Sequence, residues 1–129
     1  MTIERLKRKA AIVTGASQGI GREIARELVK RDYDVILVGR NEQALEELTL
    51  ELGQDYAYPL CLDLLSDQAV DILEDAARKV DLHILVNNAG VGCFGKFDES
   101  SPDAIEQMIK LNITLPVMIT RALLKHLAK

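Results

Sequence analysis

"AAIVTGASQGIG", residues 10–21, passes from an apolar run into three glycines, Gly15, Gly19 and Gly21. Glycine inside regular structure costs about 0.5–1 kcal/mol relative to alanine, so this density marks a tight turn or a close backbone approach. The run "AAIVTGA" predicts a buried strand. Beyond the glycines, Ile20, Ile24, Ala25 and Leu28 share one helical face while Arg22, Glu23, Arg26 and Lys30 point away. A strand that feeds a helix through glycines places free amides and the positive end of the helix dipole at one spot, which suits a phosphate.

The same alternation repeats along the chain. "YDVILVG" predicts a second buried strand, Asn41 a cap for a helix with the stripe Leu45, Leu48 and Leu52, and Gly53 its end. "AYPLCLDL" predicts a third strand, in which Pro59 is tolerable only near an edge or a strand start. Ser66 is expected to cap a helix carrying Val70, Leu73, Ala77 and Val80, and "LHILVNNAG" predicts a fourth strand. Ser101-Pro102 signals a last, long helix to about Leu127, loosened around Pro116. Strands alternating with helices require a parallel sheet with right-handed crossovers and helices on both faces, a doubly wound α/β fold.

A chain of 129 residues with 48% hydrophobic and 28% charged residues fits one domain, 1–129, with no internal linker. Its net charge of −4 and low aromatic content argue against a nucleic-acid surface. Arg5, Lys7, Arg8 and Lys9 form the only basic run, expected to be a solvated lead-in to the first strand. Cys61 and Cys93 have no partner at metal-ligand spacing and suit a reducing compartment. Neither a secretory leader nor a membrane span is indicated, so the cytoplasm is expected. His83, opening the fourth strand, and His126, at the far end of the last helix, are expected to be structural or solvent-facing.

The glycine spacing, G-x-x-x-G-x-G, matches neither the G-x-G-x-x-G dinucleotide fingerprint nor the G-x-x-x-x-G-K-[ST] phosphate loop, and nucleoside-triphosphate hydrolysis is not expected. "TGASQGIG" (Thr14 to Gly21) together with "NNAG" (Asn87 to Gly90) instead resembles the short-chain dehydrogenase/reductase family of NAD(P)-dependent oxidoreductases, from about Lys9 onward. The resemblance implies a Rossmann-like sheet. It also implies that Gly15 allows the turn, Gly19 admits the cofactor pyrophosphate, Ile20 donates its amide, and Gly21 lets helix and strand pack closely. Ser17, Gln18 and Leu64 fall among the implied cofactor contacts. Asp63, in "CLDLL", matches the acid that holds the adenine amino group, with helix capping as its alternative role. Asn87 is expected to brace the central sheet, Asn88 to contact the cofactor, and Ala89 and Gly90 to leave room for the adenosine ribose. Asn112, in "KLNIT", matches the asparagine that interrupts the long helix and serves a proton relay, the one catalytic residue carried over.

The second strand ends "VGRN". An acid at its end would accept hydrogen bonds from ribose hydroxyls, whereas an arginine pairs with a 2′-phosphate. Gly39 stands where the acid would be and Arg40 follows, which favours NADP over NAD; Gln18, where a basic residue often stands, and the nearby Glu42 act against it.

The family's chemistry is hydride transfer between nicotinamide and a carbonyl or alcohol, by a serine and a Tyr-x-x-x-Lys pair. Tyr33, Tyr56 and Tyr58 are the only tyrosines, and each is followed four residues later by leucine. The expectation is therefore the cofactor-binding half of such an oxidoreductase, truncated after the fourth strand and its helix, inactive alone and acting on a small-molecule carbonyl or alcohol when complete. The alternative is a stand-alone nucleotide-binding or assembly module. In a sheet of order 3-2-1-4 the fourth strand is an exposed edge, and Ile105, Met108, Ile109, Ile113 and Leu115 would add apolar surface, so a homo-oligomer is expected.

Overall fold

Near-continuous apolar runs form strands only where both sheet faces are covered, and the chain meets that condition with helices between its strands. The computed structural model describes residues 2–127. Strand β1 spans Lys9–Thr14, β2 Asp34–Gly39, β3 Ala57–Cys61 and β4 Asp81–Val86, in the spatial order β3-β2-β1-β4. All pairings are parallel, with Ile12 opposite Ile36 on one side and Leu85 on the other. Pro59 lies in the edge strand β3, where its missing N–H is tolerated.

Helices α1 (Gly19–Lys30) and α2 (Glu42–Leu52) cover one face, where Ala25, Leu45 and Leu48 meet Ala11, Val13, Val35 and Leu37. Helix α3 (Ala69–Arg78) and the C-terminal helical run cover the other, where Leu73, Ala77, Leu115, Ile119 and Leu123 meet Ile12, Ile36, Val38 and Leu82. Residues two apart normally share a face, yet Leu82 and Ile84 serve opposite cores. The register supplies the reason: Ala10 pairs with Leu82 and Ala11 with Ile84, so His83 is an extra residue that reverses the phase of β4.

Several local expectations change. Ile20 does not join the buried stripe of α1 but stands 73% exposed at its N-terminus, and Arg22 is half-buried. Ser66 does not cap α3 through its side chain. Residues Asp63 to Ser66 fold into a turn, closed by the Ser66 amide donating to the Asp63 carbonyl at 3.0 Å, and α3 starts only at Ala69. The last helix is α4 (Pro102–Ile109), a widened turn at Lys110–Thr114, then α5 (Leu115–Leu123). Its distortion lies one turn before Pro116, because a proline deprives the residue four back, here Asn112, of its N–H partner and crowds its carbonyl. Ser101 caps α4 and Asn41 caps α2, each accepting from the amide three residues on at 3.1 Å.

The basic run is a solvated lead-in only at Lys7 and Lys9, which are exposed; Arg5 and Arg8 are engaged by the fold. Asp34, buried at the start of β2, accepts the amides of Lys7 and Arg8 at 2.8 Å each and Arg8 Nε at 2.7 Å. Arg8 lies 4.4 Å over the Tyr56 ring and Arg5 4.9 Å over Tyr58, while Arg5 also donates to the Ala57 carbonyl. These contacts clamp the strand ends opposite the glycines. Cys61 and Cys93 are free thiols, and no described helix is long and apolar enough to cross a membrane.

Candidate cofactor site

The carboxyl ends of β1, β2, β3 and β4 open into one cleft of about 670 Å³, at the crevice where open α/β sheets hold ligands. Its floor follows from the glycines. Gly15 and Gly19 adopt φ of +65° and +60°, left-handed values that glycine reaches without strain. No heavy atom lies within 4 Å of a Cβ built on Gly19, so the space above the start of α1 is open. Gln18 precedes α1 without capping it and the first turn carries no acid, which leaves the helix's first amides to face an anion.

Thr14 joins β1 to the edge strand β4 at the cleft, a role the sequence reading missed. Its hydroxyl donates to the Val86 carbonyl at 3.2 Å and accepts the amides of Asn88 and Ala89 at 3.0 Å. A hydroxyl-bearing residue directly before the first glycine was the available signal. Asn88 Nδ2 donates to the Gly15 carbonyl at 3.1 Å, so the glycine turn and the "NNAG" turn hold each other. Asn87, expected to brace the sheet, instead reaches Thr120 on α5 at 3.0 Å, because its side chain points to the opposite side from that of Asn88.

Of the residues singled out by sequence, the cleft wall brings together Gly15, Ser17, Gln18, Gly19, Ile20, Arg40, Asp63, Leu64, Asn88, Ala89 and Gly90. Gly21 lies behind the wall: a Cβ there would stand 2.2 Å from the Gly15 carbonyl oxygen and 2.4 Å from Asn88 Nδ2. Asn112, an exposed residue, does not line the cleft either. Its Oδ1 accepts the Val91 amide at 2.9 Å and its Nδ2 donates to the Val91 carbonyl at 2.6 Å, a two-point hold on the loop after β4. Gly90 lets it approach, since a Cβ would be 2.8 Å from Asn112 Oδ1.

Arg40 projects from the rim between β2 and α2, with no hydrogen bond or ion pair to its guanidinium among the described residues. Asp63 does not cap α3: its Oδ1 accepts the Leu65 amide at 2.9 Å within the turn, and the residue is exposed at the cleft. His83 and His126 stand away from the cleft, beside Asp81 and Glu74. No tyrosine lines the cleft; Tyr56 and Tyr58 are stacked at the other end of the sheet.

A parallel sheet wound on both faces, with the uncapped start of α1 at its switch point, defines a Rossmann-like α/β fold. The family model for short chain dehydrogenases matches residues 9–129. The very-long-chain 3-oxoacyl-CoA reductase of Kluyveromyces lactis is 34% identical over 124 residues, covering 91% of this chain and 36% of that protein. A metagenomic short-chain oxidoreductase solved with NADP superposes with a TM-score of 0.85 at 31% identity, over 95% of this chain and 57% of that one. The 3-ketoacyl-(acyl-carrier-protein) reductase of Brucella melitensis, solved with NADH, gives a TM-score of 0.81 at 30% identity, over 93% and 50%. The chain belongs to the short-chain dehydrogenase/reductase family, and it spans under two thirds of the length of these relatives.

Proposed function

We propose that residues 1–129 are the cofactor-binding half of an NADP-dependent oxidoreductase that transfers hydride between nicotinamide and the carbonyl or alcohol of a small-molecule substrate. The observation that carries this reading is the convergence, in one cleft, of the uncapped start of α1, the free Arg40 guanidinium, Asp63 and the Asn88–Gly90 turn. The amides at the start of α1 would hold the pyrophosphate, Arg40 the 2′-phosphate, and Asp63 the adenine amino group. Asn88, Ala89 and Gly90 would flank the adenosine ribose. The nicotinamide supplies the hydride chemistry; this chain binds and orients. Arg40 beside Gly39, with no acid at that strand end, supports NADP over NAD, and relatives solved with NADP and with NADH make a nicotinamide dinucleotide the class to test.

The acid/base group that the family resemblance implies is a tyrosine, and none lines the cleft among the described residues, so the 129-residue chain is proposed to bind cofactor without turnover. Fluorescence titration with NADPH and NADH tests the reading. Arg40→Ala should weaken NADPH by about 1.5–3 kcal/mol, the range for hydrogen bonds to a charged group, and leave NADH nearly unchanged. Equal losses for the two would remove Arg40 from the phosphate site, and NADPH oxidation with a carbonyl panel would refute the proposed inactivity.

A further inference from the structure

The turn Asp63–Ser66 carries three cleft residues, Asp63, Leu64 and Leu65, yet belongs to no regular element. Strand pairing ends just before it, where the Leu62 amide donates to the Gly39 carbonyl at 2.8 Å, and α3 begins only at Ala69. Its own side chain supplies one restraint, Asp63 Oδ1 on the Leu65 amide at 2.9 Å. Beside the Ser66–Asp63 backbone bond and the burial of Leu64 in the core, a second side-chain restraint comes from 45 residues away: Lys110 Nζ donates to the Leu65 carbonyl at 3.1 Å. Both polar groups of the Leu65 backbone are thus held by side chains.

Lys110 is placed for this by the last helical run. Ala104, Gln107 and Leu111 share the face that lines the cleft, and Lys110 opens the widened turn on the flank beside Gln107. Its stem is half-buried and its ammonium ends on a backbone oxygen, whereas Lys79 and Lys125 pair with the carboxylates of Asp75 and Glu74. We propose that Lys110 is a positioning residue for the adenosine end of the cleft: by holding the Leu65 carbonyl it fixes the turn that presents Asp63 and Leu64 to the ligand. This rests on the reading of the cleft as a dinucleotide site.

The test uses the 129-residue chain with Lys110→Met, which keeps the stem and loses the donors, and Lys110→Arg, which keeps a charged donor. Amide hydrogen exchange over residues 62–68 reads the tether without any ligand; it should quicken in Lys110→Met and return to the wild-type rate in Lys110→Arg. Titrations with 2′-phospho-ADP-ribose and with reduced nicotinamide mononucleotide read the positioning. Lys110→Met should weaken the first about tenfold, equivalent to about 1.4 kcal/mol, leave the second unchanged, and be rescued by arginine. A general loss of stability would not separate the two ligands. Unchanged exchange overturns the tether, and faster exchange with unchanged binding overturns the positioning role while sparing the cofactor reading. A wild-type chain that binds neither these probes nor NADPH overturns the cofactor reading and the role of Lys110 with it.

Discussion

Gly19 and Gly21, two residues apart, should fail in opposite ways when given side chains. At Gly21 a Cβ would lie 2.2 Å from the Gly15 carbonyl oxygen, about 0.8 Å inside the 3.0 Å that Cβ atoms respect, with Asn88 Nδ2 as close as 2.4 Å. Neither neighbour can yield freely, since one is backbone and the other is bonded to that same carbonyl. Gly21→Ala therefore combines overpacking, about 1–3 kcal/mol, with loss of the Asn88 bond, about 1 kcal/mol, for a destabilisation of about 2–4 kcal/mol. At Gly19 a Cβ meets nothing within 4 Å, and only the φ of +60° resists a side chain. Gly19→Val should cost about 1–2 kcal/mol of left-handed backbone strain while filling the space above the α1 amides. Urea unfolding followed by circular dichroism, with an NADPH titration on the same samples, separates the two. The expected result is a folded Gly19→Val chain that no longer binds and a Gly21→Ala chain with a clearly lower midpoint. Wild-type binding by Gly19→Val would refute the placement of the pyrophosphate, and wild-type stability of Gly21→Ala would refute the packing argument.

Asp34→Ala should destabilise the fold by about 2–3 kcal/mol in urea unfolding, below the 3–5 kcal/mol of a fully buried pair because Arg8 stays partly solvated; a loss under about 1 kcal/mol would mean the amides it accepts are satisfied by water. Glu74 is held at about 2, first by its hydrogen bond from Lys125 and then by His126, against an ordinary value of 4.5. Its folded-state value is depressed, so its contribution to stability is complete above pH 4.5 and is lost as pH falls toward 2. Thermal unfolding across that window should show wild type losing stability relative to Glu74→Gln, and parallel curves would contradict the assignment. Ile109, Ile113, Val117 and Leu124 are exposed along the last helical run and β4 pairs with β1 alone, so the chain should sediment as a dimer or larger at micromolar concentration. Ile113→Asp should shift it toward monomer, and a wild-type monomer would refute the surface argument. Leu115, expected in that patch, is in fact buried in the core.

The order of strands and helices, the caps at Asn41 and Ser101, and the glycine turn before α1 were legible in the sequence because each depends on local chemistry: apolar periodicity, a side-chain oxygen three residues before an amide, a backbone that only glycine reaches easily. What the sequence could not show depends on neighbours remote along the chain. The Thr14 hydroxyl becomes the joint between β1 and β4 only when Asn88 and Ala89 arrive beside it, and the His83 bulge exists only in the register against Ala10 and Ala11. Gly21 and Gly19 look alike in a motif, and only the contact with Gly15 and Asn88 separates a packing glycine from one that lines the cleft. Likewise Arg5 and Arg8 read as solvated charges until tertiary packing supplies the carbonyl, rings and carboxylate that engage them, and Lys110 gives no signal at all until the Leu65 carbonyl arrives beside it. Long polar side chains have many partners within reach of a sequence and few in a fold, so their roles are decided by which backbone oxygen or carboxylate the topology brings near.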